Sequence, residues 1–306
     1  MNISFCCKDD NASLWMGELQ AALPQASVTL WQPGAPMADM AVVWAPPQQF
    51  FDEQPQLRAI FNVGAGVDAL MKLRLPAQAL VVRLDDAGMA VQMAEYVCHA
   101  VVRHMRQFAA YEADAQQGLW QRRSAPDRSA FPVGVMGLGV LGERVVRALQ
   151  GFEFPVLGWS RTPRVLSGLD CYAGQAALPH FLARCRALVC LLPLTPETQG
   201  ILNRETLGQL QRGAYLINVA RGGHLVEDDL LPLLASGQLA GATLDVFCTE
   251  PLPPEHPFWR HPQIRVTPHI SAGTLPGKSM AQIVDKIGAL TRGEPITGIV
   301  DRQRGY

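Results

Sequence analysis

The sequence predicts an α/β protein with two doubly wound parallel-sheet domains. Apolar strand-like runs alternate with amphipathic helix-like runs along most of the chain. The 306 residues, of which 48% are hydrophobic, suffice for two domains that each bury a core. A glycine-rich turn between a strand and a helix, at residues 137–142, opens the second of two such alternating series.

The first 90 or so residues predict a small doubly wound unit. Strands are expected at residues 3–7, 28–31, 41–44, 57–63 and 81–84. A helix is expected near residues 11–23, with Asn11 as a candidate N-cap. A long helical pattern then covers residues 89–117, where it suits a domain link or a dimer face as well as core packing.

The second series follows a polar, proline-containing stretch at residues 121–130. Six strands are expected, near residues 133–136, 155–160, 187–192, 214–219, 241–246 and 264–267. A last helix, near residues 276–291, is expected to pack back on the first domain. The second domain would then be an insertion in the first.

The glycine turn reads Gly137-Leu138-Gly139-Val140-Leu141-Gly142 and joins an apolar strand to a helix. In this G-x-G-x-x-G pattern the first glycine allows a tight turn, the second lets a pyrophosphate approach, and the third lets the helix pack closely. The N–H groups of the helix would face the phosphates. The pattern predicts a dinucleotide site, although glycines in a strand-turn-helix also occur as plain turn residues.

The end of the second strand indicates which dinucleotide is preferred. NAD sites place an acid there, which binds the ribose 2′-hydroxyl, whereas this chain has Ser160, followed by Arg161, Thr162 and Arg164. Guanidinium groups suit a 2′-phosphate. NADPH is therefore favoured over NADH, the alternative being that both arginines are ordinary surface residues.

Three polar residues follow successive strands of the second series: Arg221, Glu250 and His269. The carboxyl ends of parallel strands share one edge of a sheet, so these side chains can converge. An arginine can clamp a carboxylate, a histidine can deliver a proton, and a neighbouring carboxylate favours the imidazolium form. Each residue alone has an ordinary structural explanation, but together they suit the reduction of a 2-oxoacid.

Composition narrows the class of partner. The formal net charge is −1 and the chain has no long Lys/Arg run, which argues against nucleic acid and anionic membranes. No apolar run reaches the ~18 residues of a membrane span, and a cytoplasmic protein is expected. Seven cysteines without a C-x-x-C pattern predict mostly buried thiols. No metal is expected, because His256, His261 and His269 lack regular ligand spacing.

A set of motifs, in order over nearly the whole chain, shares its pattern with one known family. The motifs are VGAGVD at 63–68, GLGVLG at 137–142, WSRT at 159–162, LPLTPET at 192–198, NVARGG at 218–223, LDVF at 244–247 with EPLP at 250–253, TPH at 267–269 and VDRQRGY at 300–306. The chain resembles the D-2-hydroxyacid dehydrogenases, and within them the glyoxylate/hydroxypyruvate reductases.

This resemblance implies a homodimer whose chain forms a Rossmann cofactor domain, residues 93–274, inserted in a flavodoxin-like substrate domain, residues 1–92 and 275–306. The active site is expected between the domains, with hinges near 90–95 and 270–275. It also implies NADPH-dependent reduction of glyoxylate to glycolate and of hydroxypyruvate to D-glycerate, with NADH as the weaker cofactor. The segment from Arg122 to Ala130 matches these reductases poorly.

The resemblance carries residue roles to matching positions. His269 is the acid/base, Glu250 assists it, and Arg221 holds the substrate carboxylate. Further substrate contacts are expected from the backbone of Val63, Gly64, Ala65 and Gly66, beside Val67. On physical grounds apart from the resemblance, Trp44 is expected to narrow the site around a small acid. Besides the glycine turn and the segment 160–164, the expected cofactor contacts are Leu192, Pro193, Val219 and Asp245, of which the last two would bind the nicotinamide carboxamide.

Other functional hypotheses are compatible with the same scaffold. Oxidation of formate or phosphite is disfavoured by the reductase-type tail at 300–306 and by Ser160-Arg161. Another 2-oxoacid is an alternative substrate, because apolar walls discriminate one methylene by only about 1–3 kcal/mol. A dinucleotide-sensing binding protein, like the transcriptional corepressors of this scaffold, would keep a similar Arg/Glu/His set. The lack of low-complexity tails argues against it.

Overall fold

The chain forms two compact units, which we describe separately. The structure is a computed structural model that describes residues 1–8, 12–124 and 126–306, so the predicted N-cap, Asn11, lies outside the described residues. Unit 1 comprises Met1–Met89 and Thr274–Tyr306, and unit 2 comprises Ala90–Gly273. Each unit contains a parallel sheet flanked by helices, which confirms the predicted fold class.

Unit 1 is built on five parallel strands in its described part. They are β1 (Asn2–Cys7), β2 (Ser27–Leu30), β3 (Met40–Trp44), β4 (Ala59–Asn62) and β5 (Leu80–Val82), with the helices α1 (Ala12–Ala22) and α2 (Gln48–Glu53) between them. The sheet order is β2-β1-β3-β4-β5, which is the flavodoxin-type arrangement. The inner strands β3 and β4 are apolar and buried because both faces of a doubly wound sheet are covered.

Unit 2 has seven parallel strands among its described residues, one more than predicted. Its helices are α3 (Met89–Met105), α4 (Phe108–Gln116), α5 (Val140–Gly151), α6 (Leu178–Leu182), α7 (Arg204–Gly208) and α8 (Glu227–Ala235), of which α3 begins at the last residue of unit 1. Its strands are β6 (Val133–Met136), β7 (Val156–Ser160), β8 (Asp170–Ala173), β9 (Ala187–Cys190), β10 (Ala214–Asn218), β11 (Leu239–Leu244) and β12 (Ile264–Val266).

The order of this sheet is β12-β11-β10-β9-β6-β7-β8. Strand β6 lies at the point where the order reverses, which is where ligands bind in open α/β sheets. The glycine turn follows β6 directly. The strand that the sequence did not predict, β8, lies at one edge and none of its residues is fully buried.

The single helix predicted over residues 89–117 is wrong, because the structure has two helices there. The first, α3, ends at Met105, and Gln107 has a left-handed backbone with a φ of 56°. The second, α4, buries none of its side chains. The apolar stripe on α3, which includes Val97 and Val101, packs in the core of unit 2 and ends with Met105.

The last helix, α9 (Pro276–Thr291), belongs to unit 1 although it follows unit 2 in the chain. It buries Met280, Ile283 and Ile287, and it packs against α1. Its Lys286 is also buried, and its ammonium lies 2.9 Å from Asp85 Oδ2. Unit 1 is therefore assembled from both ends of the chain.

The cysteines agree only partly with the expectation of buried thiols. None of them forms a disulfide: Cys6, Cys98, Cys185 and Cys190 are buried, Cys7 and Cys171 are half-buried, and Cys248 is exposed. Cys248 lies on the loop after β11 rather than in the sheet, which explains its exposure. Within the described ranges, no helix has both the length and the apolar character needed to cross a membrane.

Candidate active site

The glycine turn after β6 is shaped by close backbone contacts. Gly137 has a φ of +101°, and a Cβ on it would lie 2.7 Å from the Leu191 carbonyl oxygen. A Cβ on Gly142 would lie 1.8 Å from the Gly137 carbonyl oxygen, so α5 starts directly against the turn. A Cβ on Gly139 would meet nothing within 4 Å. The turn is thus tightly packed on its inner side and open at its middle glycine.

The N-terminus of α5 lies at this open position. Gly139 is its N-cap, and no side chain caps the helix. The first N–H groups of a helix have no intrahelical acceptor, and with the helix dipole they favour an anion. The open glycine and the uncapped helix therefore fit the pyrophosphate of a dinucleotide, which Val140 and Leu141 would flank.

Basic side chains follow the neighbouring strand β7. Ser160 ends this strand, and its hydroxyl donates to the Thr162 carbonyl over 2.8 Å. Arg164 Nη2 donates to the Leu138 carbonyl oxygen over 2.9 Å, which places its guanidinium beside the glycine turn. Arg161 and Arg164 are both exposed. The end of β7 carries cations and no acid, as a 2′-phosphate requires.

The loops after β9 and β10 are joined by a buried histidine. His224 is fully buried, and its Nδ1 lies 3.0 Å from the Arg221 carbonyl oxygen while its Nε2 lies 3.2 Å from that of Pro193. Leu192 and Val219, two other predicted cofactor contacts, are buried at the same strand ends. The backbone that carries Arg221 is therefore tied to the loop that carries Pro193.

Arg221 lies just beyond the carboxyl end of β10 and is half-buried. Asn218, which is fully buried, shapes this turn: its amide donates to the Arg221 carbonyl and its Oδ1 accepts from the Ala220 N–H. The Arg221 guanidinium donates to the Ala220 carbonyl over 2.6 Å. A Cβ on Gly222 would lie 1.8 Å from the Phe247 carbonyl carbon, so the loops after β10 and β11 are packed together.

Glu250 and His269 form a hydrogen-bonded pair. His269 Nδ1 lies 2.9 Å from Glu250 Oε2, and the other carboxylate oxygen accepts from the Phe247 N–H over 2.9 Å. Both side chains keep substantial exposure, 45% for His269 and 37% for Glu250. An imidazole that gives Nδ1–H to a carboxylate presents Nε2 to its other neighbours. The pair can therefore exchange a proton with a substrate at Nε2.

Asp245, at the end of β11, is fully buried. Its carboxylate accepts hydrogen bonds from the Thr267 hydroxyl and from the N–H groups of Ile270 and Ser271. The structure thus gives Asp245 contacts with the loop around His269 that the sequence did not reveal. Its role toward a nicotinamide stays a prediction.

Trp44 and the turn at residues 63–66, which are both predicted to contact the substrate, lie together in unit 1. Trp44 ends β3, and a Cβ on Gly64 would lie 2.5 Å from Trp44 Cζ3. Asn62 donates to the carbonyl oxygens of Gly64 and Gly66, and the Val63 N–H donates to the Val43 carbonyl over 2.9 Å. Val63 is buried and Ala65 is half-exposed.

No metal centre accompanies these residues in the described part of the chain, where no group of three or more His, Cys, Asp or Glu side chains is placed to hold an ion.

The family model for the NAD-binding domain of D-isomer specific 2-hydroxyacid dehydrogenases matches residues 98–271, which is more than half of the chain. The chain belongs to the D-isomer specific 2-hydroxyacid dehydrogenase family. The predicted resemblance is therefore confirmed.

Relatives of this dehydrogenase match it over its full length. It is 47% identical to a protein of Serratia proteamaculans named glyoxylate/hydroxypyruvate reductase A, and the match covers 100% of both chains. A D-isomer specific 2-hydroxyacid dehydrogenase from Xanthobacter autotrophicus Py2, solved in complex with NADPH and MES, has a TM-score of 0.93 and 41% identity, covering 100% of this chain and 99% of that one.

A second solved structure is the NADPH-dependent glyoxylate/hydroxypyruvate reductase from Sinorhizobium meliloti, in complex with NADP and sulfate. It has a TM-score of 0.91 and 37% identity, covering 100% of this chain and 99% of that one.

Sequence reasoning missed several residues that support the site of this dehydrogenase. Tyr96 and Gln92 on α3 bond to the loop around His269, and His224 bridges two strand ends. The four-residue spacing of Gln92 and Tyr96, which places both on one helix face, was the available signal. For His224, the available signal was its position: it is a polar residue three positions after Arg221.

Proposed function

We propose that this dehydrogenase reduces glyoxylate to glycolate and hydroxypyruvate to D-glycerate, with NADPH as the reductant. The observation that carries the proposal is the 2.9 Å contact between His269 and Glu250 in the same unit as the glycine turn. A proton donor and a dinucleotide turn on one sheet are what carbonyl reduction requires. The full-length likeness to a glyoxylate/hydroxypyruvate reductase A supports the choice of substrates.

In this proposal the charged groups have separate tasks. NADPH, when bound, supplies the hydride. His269 gives its Nε2 proton to the carbonyl oxygen, while Glu250 fixes the ring through Nδ1 and balances its positive charge. Arg221 pairs with the substrate carboxylate through its planar fork and stabilises the charge that develops on oxygen.

We assign the remaining predicted residues to binding. At the turn of Val63, Gly64, Ala65 and Gly66, the last three residues would offer N–H groups to the carboxylate, since the Val63 N–H donates to the Val43 carbonyl. Trp44 would limit the substrate to a small acid. Gly137–Gly142 would hold the pyrophosphate, with Arg161, Thr162 and Arg164 at the 2′-phosphate. Leu192, Pro193, Val219 and Asp245 would line the remainder of the cofactor site.

The test is the initial rate of NADPH and NADH oxidation with glyoxylate, hydroxypyruvate and pyruvate. We expect rapid turnover of NADPH with glyoxylate or hydroxypyruvate, and a lower kcat/KM with NADH. Fast turnover with pyruvate alone would replace the proposed substrates by another 2-oxoacid. Tight NADPH binding without turnover of any of the three would favour a dinucleotide sensor instead.

We also propose that the enzyme is a homodimer and acts in the cytoplasm. The helix α4 buries no side chain, and the segment that follows it carries Leu119 and Trp120, which are 44% and 94% exposed. Large exposed apolar side chains beside a helix of this kind favour contact with a second copy. Seven cysteines without a disulfide suit a reducing compartment.

A further inference from the structure

The loop that carries His269 holds this residue in a rare backbone conformation. We call residues 267–273 the histidine loop. His269 has a φ of 55°, a value that residues with a Cβ adopt only when their surroundings impose it. Its N–H donates to the carbonyl oxygens of Asp245, over 2.8 Å, and of Thr267, over 3.1 Å. Contacts elsewhere must therefore keep the loop in place.

The Asp245 carboxylate provides three of these contacts. Its Oδ1 accepts from the Thr267 hydroxyl, over 2.6 Å, and from the Ile270 N–H, over 2.9 Å. Its Oδ2 accepts from the Ser271 N–H over 2.8 Å. One buried carboxylate thus binds the loop on both sides of His269, and its own orientation decides where the imidazole lies.

Tyr96 on α3 extends this network by one hydroxyl. Its oxygen lies 2.5 Å from Thr267 Oγ1. Thr267 has a single hydroxyl proton, and an ionised carboxylate can only accept, so that proton goes to Asp245 and the Tyr96 hydroxyl must donate to Thr267. Burial raises the pKa of Tyr96 to about 12, which keeps the phenol protonated as a donor. The donor and the acceptor are therefore fixed in both hydrogen bonds, from Tyr96 to Thr267 and from Thr267 to Asp245.

A second residue of the same helix face holds the far end of the histidine loop. Gln92 lies one turn before Tyr96, and its side-chain amide donates to the Gly273 carbonyl over 3.0 Å. Its Oε1 accepts from the Gly273 N–H over 3.2 Å. The helix α3 thus holds residues 267 and 273, between which the catalytic histidine stands.

We propose that Tyr96 is a positioning residue for the reaction: through Thr267 and Asp245 it fixes the histidine loop, and with it the place of the His269 imidazole against Glu250. This inference rests on the proposed function, because it assigns His269 the proton transfer. Tyr96 itself touches neither of the two atoms between which the proton moves in this proposal, His269 Nε2 and the carbonyl oxygen. Its effect is on geometry, to which proton transfer is sensitive.

The direct test is Tyr96→Phe, which removes the hydroxyl and keeps the ring. We expect kcat with glyoxylate to fall about tenfold, while KM for NADPH changes by less than about twofold. The matched control is Tyr215→Phe, because Tyr215 also bonds a threonine hydroxyl, that of Thr243, over 2.8 Å in the same unit. The control should keep kcat. Equal kcat values in the two variants would overturn the proposal.

Substitutions at Thr267 give an independent test if Tyr96→Phe fails to fold. Thr267→Val breaks the connection between Tyr96 and Asp245, whereas Thr267→Ser keeps the hydroxyl. We expect the valine variant to lose kcat as Tyr96→Phe does and the serine variant to retain it. In the double variant Tyr96→Phe/Thr267→Val, the loss of kcat should not exceed that of Thr267→Val alone, because both substitutions break the same chain of hydrogen bonds. Equal losses for valine and serine, or additive losses in the double variant, would refute the positioning role.

Hydrogen exchange separates this inference from the proposed function. In the protein without cofactor, Tyr96→Phe should speed exchange of the Ile270 and Ser271 amides about tenfold relative to Tyr215→Phe. This holds even if the unsubstituted chain reduces neither substrate, in which case the proposed function alone fails. Unchanged exchange would overturn the inference, as would faster exchange with an unchanged kcat in an active enzyme.

Discussion

If Arg221 holds the substrate carboxylate as proposed, the shape of its cation matters as well as its charge. The guanidinium is a planar fork that can pair with both oxygens of a carboxylate, which an ammonium cannot do. We expect Arg221→Lys to lower kcat/KM for glyoxylate by about a hundredfold, because the loss of a preorganised donor costs about 3 kcal/mol. The measurement is steady-state kinetics with saturating NADPH.

The matched control for this change is Arg204→Lys. Arg204 lies on α7 and is exposed, with its guanidinium 3.4 Å from Asp229. It should tolerate lysine, because exposed ion pairs contribute little. If Arg221→Lys kept the kcat/KM of the unsubstituted enzyme, the carboxylate-clamp role would be lost.

We expect Ser160 to set the cofactor preference, because it places no acid at the end of β7. Ser160→Asp places a carboxylate at the end of β7, where it repels a 2′-phosphate and accepts a hydrogen bond from a 2′-hydroxyl. We expect KM for NADPH to rise about tenfold and KM for NADH to fall, since an added charge of like sign costs roughly 1–2 kcal/mol near the surface. Initial rates with each cofactor measure this.

Ser160→Asn separates charge from size. Both substitutions remove the hydroxyl that donates to the Thr162 carbonyl, but only aspartate adds a negative charge. If the two variants shifted the preference equally, the electrostatic explanation would be refuted.

At the scale of elements, α3 carries a histidine that links stability to pH. His104 stacks on the Tyr215 ring, with 3.9 Å between the ring centroids. Burial, and secondarily the charge of Arg186, lowers the pKa of His104 to about 4, against about 6.5 in an unfolded chain. Between these values only the unfolded state binds the proton. The contribution of His104 to the free energy of unfolding is therefore fully present above pH 6.5 and is lost as the pH falls toward 4.

His104→Phe removes this titration and keeps a ring on Tyr215. We expect the drop in the free energy of unfolding between pH 7.0 and pH 5.0 to shrink by about 2 kcal/mol. Urea unfolding followed by tryptophan fluorescence measures it at both pH values. A drop as large as in the unsubstituted chain would contradict the assigned pKa.

The elements also show where sequence reasoning succeeds and where it stops. Strands β6 and β10 are apolar runs buried on both faces, and such runs are visible in the sequence. Strand β8 is a four-residue edge strand that starts with an aspartate, so it has no apolar pattern to detect. The break between α3 and α4 falls at Gln107, and neither glycine nor proline marks it.

The candidate site divides in the same way. Its glycine turn, its arginines and the Glu250–His269 pair were predicted from motifs, because these residue types at strand ends are recognisable. The hydrogen bonds of Asp245 with Thr267 and Ser271 were not, since they join segments more than 20 residues apart. Such contacts depend on the packing of β11 against the histidine loop, which local patterns do not encode.

At the scale of the whole molecule, the homodimer proposal makes the segment after α4 a contact surface. Leu119→Ser with Trp120→Ser removes its two large apolar side chains. We expect the variant to be monomeric, because buried aromatic anchors contribute most to association. Light scattering after gel filtration gives the mass of the species.

Leu14→Ser is the control for this change, since Leu14 is 57% exposed on α1 in the other unit. It should leave the dimer intact. A double variant that remained dimeric would exclude this segment as the interface, and a monomeric unsubstituted chain would exclude the dimer itself.

The discontinuity of unit 1 has a consequence for the order of events during synthesis. Residues 1–89 are translated before unit 2, but α9, which packs against α1, is translated after all of unit 2. Unit 2 is one continuous segment, and its first and last turns are joined by Gln92 and Gly273. It can complete its fold while the nascent chain is still growing. Residues 1–89, by contrast, keep the apolar surface that packs against residues 274–306 uncovered until that later segment has been translated.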